Sequence, residues 1–216
     1  MAESPSPRPR GPRTRVILVA AAVGVALGLG AALATSFLQG SHASAAGPTP
    51  LRAQVTWAAG TKPAPQVVLR DQRGSTVSLR SLRGHVVALT FLASTCKREC
   101  PLEGRVLHDV LARVRGTGMV ALVVSVDPWA DTRASARAFA SRAGWSGDWH
   151  WLLGSRAALS PVWRAYHVAV KRVPGDVLHS AALYVIDPRG ELRAAYLFPF
   201  SAAAVSSDVR RLAATS

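Results

Sequence analysis

The feature that most constrains the fold is an apolar run, Val86 to Leu92, that leads directly into both cysteines of the chain. A short apolar run bounded by turn residues is typical of a strand buried on both faces. After Cys96 and Cys100, apolar residues recur at the 3.6-residue spacing of an amphipathic helix. They are Leu102, Val106, Leu107, Val110, Leu111 and Val114. The stretch therefore predicts a strand, a cysteine loop and a helix in direct succession.

The two cysteines are predicted to lie just before the start of this helix. Pro101 suits the first helical position, where its missing N–H costs nothing. Free backbone N–H groups and the macrodipole at this end favour thiolate over thiol. The three-residue gap lets both sulfurs face one site, as a shared metal site, a redox-active pair or a structural disulfide. The strand-to-helix junction favours the first two interpretations over the third.

The rest of the chain alternates predicted strands and helices. The predicted elements are a hairpin over 66–70 and 76–79, a strand over 119–126, a helix from Asp131 or Thr132 to about Ala143, a helix over 156–166, a short alternating segment over 168–173, a hairpin over 181–186 and 191–197, and a terminal helix over 205–214. Trp145, Trp149 and Trp151 are predicted to pack in the core and its loops. This order predicts an α/β fold, a thioredoxin-like α/β sandwich with an added N-terminal β-hairpin.

The first 62 residues are predicted to lie outside this sandwich. Residues 1–15 are rich in Pro and Arg, which predicts a disordered basic cytoplasmic tail. Residues 16–38 carry no charge and are long enough to cross a bilayer once, which predicts a transmembrane anchor. Residues 39–62 are predicted to be a linker, and residues 63–216 the thioredoxin-like domain.

The charges around the apolar segment predict its orientation. Four arginines precede it and no charge follows it until Arg52. The positive-inside rule then predicts a single-pass protein of a bacterial cell membrane with an extracytoplasmic C-terminal domain. A signal peptide cleaved near Ala45 is the alternative.

The chain is strongly basic, with a formal net charge of +14. Arginine greatly outnumbers lysine in an Ala-, Gly- and Val-rich chain, which is typical of coding bias in a GC-rich bacterium. The basic residues are spread singly and form no motif that reads DNA or RNA, so no nucleic-acid partner is predicted.

A third soft ligand is predicted from the loop that lies beside the cysteines in a thioredoxin fold. Thioredoxins carry a cis proline there, and this chain has His179 instead, within Asp176 to Ser180. Two thiolates and one imidazole form a soft set that suits Cu(I) best, with Cu(II) possible and Zn(II) short of a fourth ligand. Asp127 could add an oxygen ligand, although helix capping is its more ordinary role. Structural roles are predicted for His85, His108, His150 and His167.

Four blocks of the sequence resemble the SCO/SenC proteins, membrane-anchored copper chaperones with a thioredoxin fold. The blocks are TFLASTCKRECP (90–101), VSVDPWADT (124–132), LLGSRAALSPVWRAYHV (152–168) and LHSAALYVIDPRGEL (178–192). The resemblance implies that Cys96, Cys100 and His179 bind copper, and that the protein helps to build the binuclear copper centre of a cytochrome c oxidase subunit. Lys97 stands where family members often have proline, and Leu178 where an aspartate commonly precedes the histidine. Both departures spare the ligands and bear on the partner surface or the redox potential.

Three functions follow from these residues. The first is a copper metallochaperone that takes copper from a donor protein and delivers it to the copper-bearing subunit of cytochrome c oxidase. The second is an extracytoplasmic thiol–disulfide oxidoreductase, with Cys96 as the exposed nucleophile and Cys100 as the resolving thiol. The third is a membrane-tethered module with a structural disulfide.

Overall fold

The computed structural model describes residues 50–215. Its strands are β1 (Val55–Thr56), β2 (Val68–Arg70), β3 (Thr76–Ser78), β4 (Val87–Leu92), β5 (Val120–Ser125), β6 (Asp148–Leu152), β7 (Val170–Val173), β8 (Asp176–His179), β9 (Ala182–Ile186) and β10 (Leu192–Leu197). Its α-helices are α1 (Glu99–Arg113), α2 (Arg133–Arg142), α3 (Arg156–Ala165) and α4 (Ala202–Ala213), and a 3-10 helix spans Arg80–Leu82. The predicted tail, the predicted anchor and residues 39–49 lie outside the described residues. Within residues 50–215, no helix is long and apolar enough to cross a membrane.

A six-stranded mixed sheet in the order β1-β10-β9-β4-β5-β6 carries the fold. β4 and β5 pair in parallel, as do β5 and β6, whereas β9 pairs with β4 and β10 in the antiparallel sense. β4 and β5 are buried along their whole length, as their continuous apolar sequences predict for strands covered on both faces. The cysteine loop, residues 93–98, therefore follows the end of a central strand of the sheet.

Much of the predicted element order is confirmed. β2 and β3 form the added hairpin as a separate two-stranded sheet, and β9 and β10 form the second hairpin. Trp151 is completely buried and Trp145 is nearly so. These indoles stack at 6.1 Å between ring centroids, which confirms their role in the core.

Three local predictions are wrong, and one strand was not predicted. Helix α1 begins at Glu99, so Pro101 is its third residue and Cys100 lies inside its first turn. The first turn has no intrahelical partner for its N–H groups, so it accepts proline throughout. Residues 176–179, predicted as part of a loop, are strand β8, and residues 148–152, for which no element was predicted, are strand β6; each segment finds a pairing partner. The terminal helix starts at Ala202 because Ser201 supplies its N-cap.

Strand β1 lies entirely within the segment predicted as linker, residues 39–62. Val55 and Thr56 pair with Ala195 and Ala194 of β10, and the backbone N–H of Trp57 donates to the carbonyl of Arg193. The edge of the main sheet is thus formed by residues from this segment.

Helix α2 begins with a reciprocal cap, and its removal should cost a measurable amount of stability. Thr132 Oγ1 accepts from the N–H of Ser135 at 3.0 Å, and Ser135 Oγ accepts from the N–H of Thr132 at 2.9 Å. Thr132→Ala is expected to lower the free energy of unfolding by about 1 kcal/mol in urea titrations. Thr132→Ser keeps the oxygen and should lose less than half of that. Equal losses in the two variants would assign the effect to the threonine methyl group instead.

Candidate functional site

The cysteine loop is tied down by carboxylates from the segment that follows β5. Asp131 accepts from the N–H and the hydroxyl of Ser94 at 2.8 and 2.6 Å. Asp127 accepts from the Thr95 hydroxyl at 3.1 Å. Because these three bonds join the ends of two neighbouring parallel strands, they fix the path of the chain immediately before Cys96.

The two cysteines are free thiols in unequal surroundings. Cys96 is half-buried at the surface, whereas Cys100 is 1% exposed. A hydrogen bond with Cys100 lowers the pKa of Cys96 to about 5, helped by the backbone N–H groups of Arg98 and Cys100 and opposed by burial and the charge of Asp176. The same contact and burial raise the pKa of Cys100. At neutral pH the pair therefore holds one thiolate, on Cys96, and one proton, on Cys100.

His179, at the end of β8, contacts the buried cysteine. Its Nε2 lies 3.5 Å from Cys100 Sγ, and its Nδ1 lies 3.1 Å from the carbonyl oxygen of Ser180. A carbonyl can only accept, so Nδ1 carries the hydrogen of that bond, and Nε2 is the ring nitrogen that faces Cys100. The structure thus brings Cys96, Cys100 and His179 together, with Cys100 in contact with both of the others.

The other candidate ligands have hydrogen-bond partners outside these three residues. Asp127 accepts from the N–H groups of Trp129 and Ala130, both at 3.2 Å, so it caps a turn. The N-cap of α2 is Thr132. The predicted helix-capping role of Asp127 is therefore wrong. His85 and His108 bond the backbone carbonyls of Gly118 and Gly144. His150 pairs with Asp71 at 2.9 Å. His167 has a φ of 56° just after α3, where it ends that helix.

A buried glutamate beneath the cysteines was missed by the sequence analysis. Glu103 is 2% exposed and hydrogen-bonds the Thr90 hydroxyl on β4. Burial, helped by the charges of Glu99 and Cys96 and opposed by the Thr90 hydrogen bond, raises the pKa of Glu103 to about 7. The signal was available, because Glu103 lies one turn before Leu107 on the buried face of α1.

The three residues are not preassembled as a closed metal cage. Among residues 50–215, no group of three or more His, Cys, Asp and Glu side chains is already arranged around one metal position. Cys96 and His179 are both partly exposed, so they can close on a metal from the solvent side. Two sulfurs and one imidazole nitrogen are the donor types that soft, low-coordinate ions prefer.

The fold and the site together define a thioredoxin-like α/β domain with a cysteine pair and a facing histidine. The SCO1/SenC family pattern matches residues 60–214. The chain therefore belongs to the SCO1/SenC family.

Known relatives agree with this assignment. The SCO1 protein homolog of Bacillus subtilis is 27% identical over 130 residues, which cover 57% of this chain and 67% of that protein. Among solved structures, copper-bound ScoI of Bradyrhizobium japonicum is 26% identical with a TM-score of 0.62, covering 69% of this chain and 99% of that one. BsSco, a member of the Sco family of cytochrome c oxidase assembly proteins with a disulfide switch, matches with a TM-score of 0.63 at 23% identity, over 72% of this chain and 95% of that one. These matches support the mixed α/β, thioredoxin-like fold.

Proposed function

We propose that this protein is a copper metallochaperone for cytochrome c oxidase assembly. It binds one copper ion through Cys96, Cys100 and His179 and transfers it to the copper-bearing subunit of the oxidase. The observation that carries the proposal is the 3.5 Å approach of His179 Nε2 to Cys100 Sγ, next to Cys96, whose pKa is lowered. The copper-bound ScoI structure supports the choice of metal.

The protonation states around the site suit Cu(I) as the cargo. The pKa of Cys96 is lowered to about 5, and the Nδ1 bond to Ser180 holds Nε2 of His179 toward the site. Only Cys100 must lose a proton when copper binds, so loading at neutral pH releases close to one proton from the thiols. Because Cys96 and His179 reach the surface, a partner with more thiolates can displace them one at a time.

The location of the protein is part of the proposal. The uncharged segment 16–38 would anchor it in a bacterial cell membrane, with the domain outside the cytoplasm. There, a copper donor protein and the oxidase subunit can both reach the site.

A thiol–disulfide oxidoreductase acting on the client's cysteines is the second candidate. The unequal cysteines favour it, since an exposed thiolate of low pKa beside a buried thiol is the arrangement of a nucleophile and its resolving partner. The disulfide switch of BsSco supports redox chemistry in the family. The two functions are compatible, because oxidation of the pair would remove both sulfur ligands.

The first test is Cu(I) titration of the reduced full-length chain in non-ionic detergent without oxygen. We expect one tightly bound copper per chain. His179→Ala should weaken binding by about tenfold or more, because one of three ligands is lost, and Cys96→Ser/Cys100→Ser should abolish it. His150→Ala is the matched control, because His150 pairs with Asp71 instead, and its copper affinity should equal that of the wild type.

Two results would count against the chaperone. Reduced wild-type protein that binds no copper, yet cycles readily with a disulfide substrate, would favour the oxidoreductase. Equal copper affinity in the wild type and in His179→Ala would exclude the histidine from the ligand set.

A further inference from the structure

A pocket of about 410 Å³ lies beside the candidate site and is rich in arginine. We name it the arginine pocket, and its lining includes Trp129, Arg156, Trp163, Arg164, Val168 and Arg172. The three arginines are exposed, whereas Trp163 and Val168 are buried and form apolar walls. The pocket therefore combines an apolar interior with a cationic surface.

Two connections join the arginine pocket to the copper ligands. Val170, which also lines the pocket, is paired with His179 across the β7–β8 ribbon, and directly paired residues point to the same face. Trp129 belongs to the turn that Asp127 caps, and Asp127 also accepts from Thr95, the residue before Cys96. An occupant of the pocket would lie next to both sides of the site.

The arginines of the pocket carry uncompensated charge. The ion pairs among residues 50–215 join His150 to Asp71 and Asp148, and Arg193 to Asp187. None of them involves the pocket arginines, so no described carboxylate lies within 4 Å of those guanidinium groups. Planar guanidinium groups in this state recognise carboxylates with two parallel hydrogen bonds.

The pocket is also preorganised. The Arg172 guanidinium lies over the Trp129 ring, 4.9 Å from its centroid, and this cation–π contact holds the side chain in place. Trp163 is fixed by its Nε1 bond to the carbonyl oxygen of Ser125 at 2.9 Å. Tryptophan and arginine held rigidly around a cavity are the residues that dominate binding energy at protein interfaces.

We propose that the arginine pocket is the docking site for a carboxylate-bearing loop of the protein partner that exchanges copper with this chain. The inference rests on the copper-transfer function proposed above and names the chemistry of its partner. The volume admits one or two side chains, which suits a Glu or Asp followed by an apolar residue. Opposite charges at this position orient the partner so that its own metal ligands meet Cys96 and His179. A membrane surface seated here would cover the copper ligands and keep the partner away.

The test compares two charge reversals of equal size in the full-length chain in detergent. Arg164→Glu/Arg172→Glu reverses the charge of two of the three pocket arginines. Arg73→Glu/Arg80→Glu is the control, because both residues are exposed outside the pocket and Arg73 also lies over a tryptophan, 5.8 Å from the Trp149 centroid. The probe is the fluorescein-labelled peptide Glu-Glu-Leu-Glu-Glu-Leu, followed by anisotropy at low salt, with a Gln-for-Glu peptide alongside.

The wild type should bind the acidic peptide and not its amide counterpart. Binding should weaken by about tenfold or more in the pocket variant and by less than twofold in the control variant. Equal weakening in both variants would assign binding to net charge and overturn the proposal. Two small anions then compete with the peptide at equal ionic strength: glutarate represents a carboxylate, and glycerophosphate represents a lipid headgroup. If glycerophosphate displaces the peptide at a tenfold lower concentration than glutarate, the pocket is a lipid-headgroup site and the proposal is overturned.

Copper titration of the same proteins separates this inference from the function on which it rests. The pocket variant should bind one Cu(I), as the wild type does, because neither substituted arginine is a ligand. Wild-type protein without copper binding would defeat the proposed function. Normal copper binding with identical peptide binding in the two variants would defeat the docking inference alone.

Discussion

Cys100→Ala is expected to raise the pKa of Cys96 by about one to two pH units above its value of about 5. The largest cause of the low pKa is the hydrogen bond with Cys100, and a hydrogen bond to a charged acceptor contributes about 1.5–3 kcal/mol. The backbone N–H groups of Arg98 and residue 100 remain, so the pKa should stay below the ordinary value of 9.0. Thiolate absorbance near 240 nm, measured against pH, gives the midpoint directly.

Cys96→Ala is the matched control for this experiment. Contact with Cys96 and burial both raise the pKa of Cys100. Loss of the contact leaves the burial, so Cys96→Ala should show no thiolate absorbance in the acidic range. A Cys100→Ala protein that keeps a midpoint near 5 would show that the helix N-terminus alone ionises Cys96. The chemical consequence is large, because the thiolate is the species that binds soft metals and attacks disulfides.

The central unit of the site could be predicted because its signals are local. The apolar run of β4, the two cysteines and the spacing of α1 lie within one continuous stretch of chain. The position of His179 required the fold as well, because it depends on which loop faces the cysteines. The prediction that His179 lies opposite the cysteine loop agrees with its contact to Cys100.

The missed strands depend on partners far away in the chain. β1 has two exposed residues and exists because it pairs with β10, almost 140 positions later. Residues 148–152 (DWHWL) begin exposed and end buried beside β5, so no clean alternation marks them. β8 is held by β7 through a hairpin turn at Gly175, with a φ of 74°. Pattern alone could not supply these pairings.

The register of α1 explains why Glu103 was missed. The apolar spacing included Leu102, which is 45% exposed, whereas Glu103 is 2% exposed. The buried stripe therefore runs through Glu103, Leu107 and Val110. A carboxyl in such a stripe needs a partner and a proton, because burial of an unpaired charge is costly. The hydrogen bonds of Thr90 bear on whether the Glu103 carboxyl carries this proton.

Glu103 is expected to be a neutral carboxylic acid at the lower end of the physiological pH range. The Thr90 hydroxyl contacts both the Glu103 carboxyl and the carbonyl oxygen of Ala182, the latter at 3.0 Å. A hydroxyl has one hydrogen, which an ionised Glu103 and the carbonyl of Ala182 would both need; a protonated Glu103 can instead donate to Thr90 and leave that hydrogen for Ala182. This agrees with a pKa of about 7 for the buried carboxyl.

Glu103→Gln should therefore stabilise the fold above pH 7. Between pH 4.5 and 7 the unfolded chain loses the Glu103 proton while the folded chain keeps it, so the contribution of Glu103 to stability falls as pH rises. The full loss of folding stability from this difference in pKa is roughly 3 kcal/mol. Glutamine is neutral at every pH and can still donate to Thr90, so it avoids this loss. Urea unfolding should show a gain of roughly 1–3 kcal/mol at pH 8 and a gain below about 1 kcal/mol at pH 5.

Asp109→Asn controls for a change of charge on the same helix. Asp109 is exposed, so its replacement should alter the free energy of unfolding by less than about 0.5 kcal/mol at either pH. The lowered pKa of Cys96 makes stability rise with pH, which is opposite to the effect of Glu103. Comparing the free energy of unfolding of each variant with that of the wild type at the same pH cancels this contribution of Cys96. A Glu103→Gln difference that is the same at pH 5 and pH 8 would mean that Glu103 is ionised in the fold. The Thr90 hydroxyl would then have to donate to Glu103, and the carbonyl of Ala182 would lose that bond.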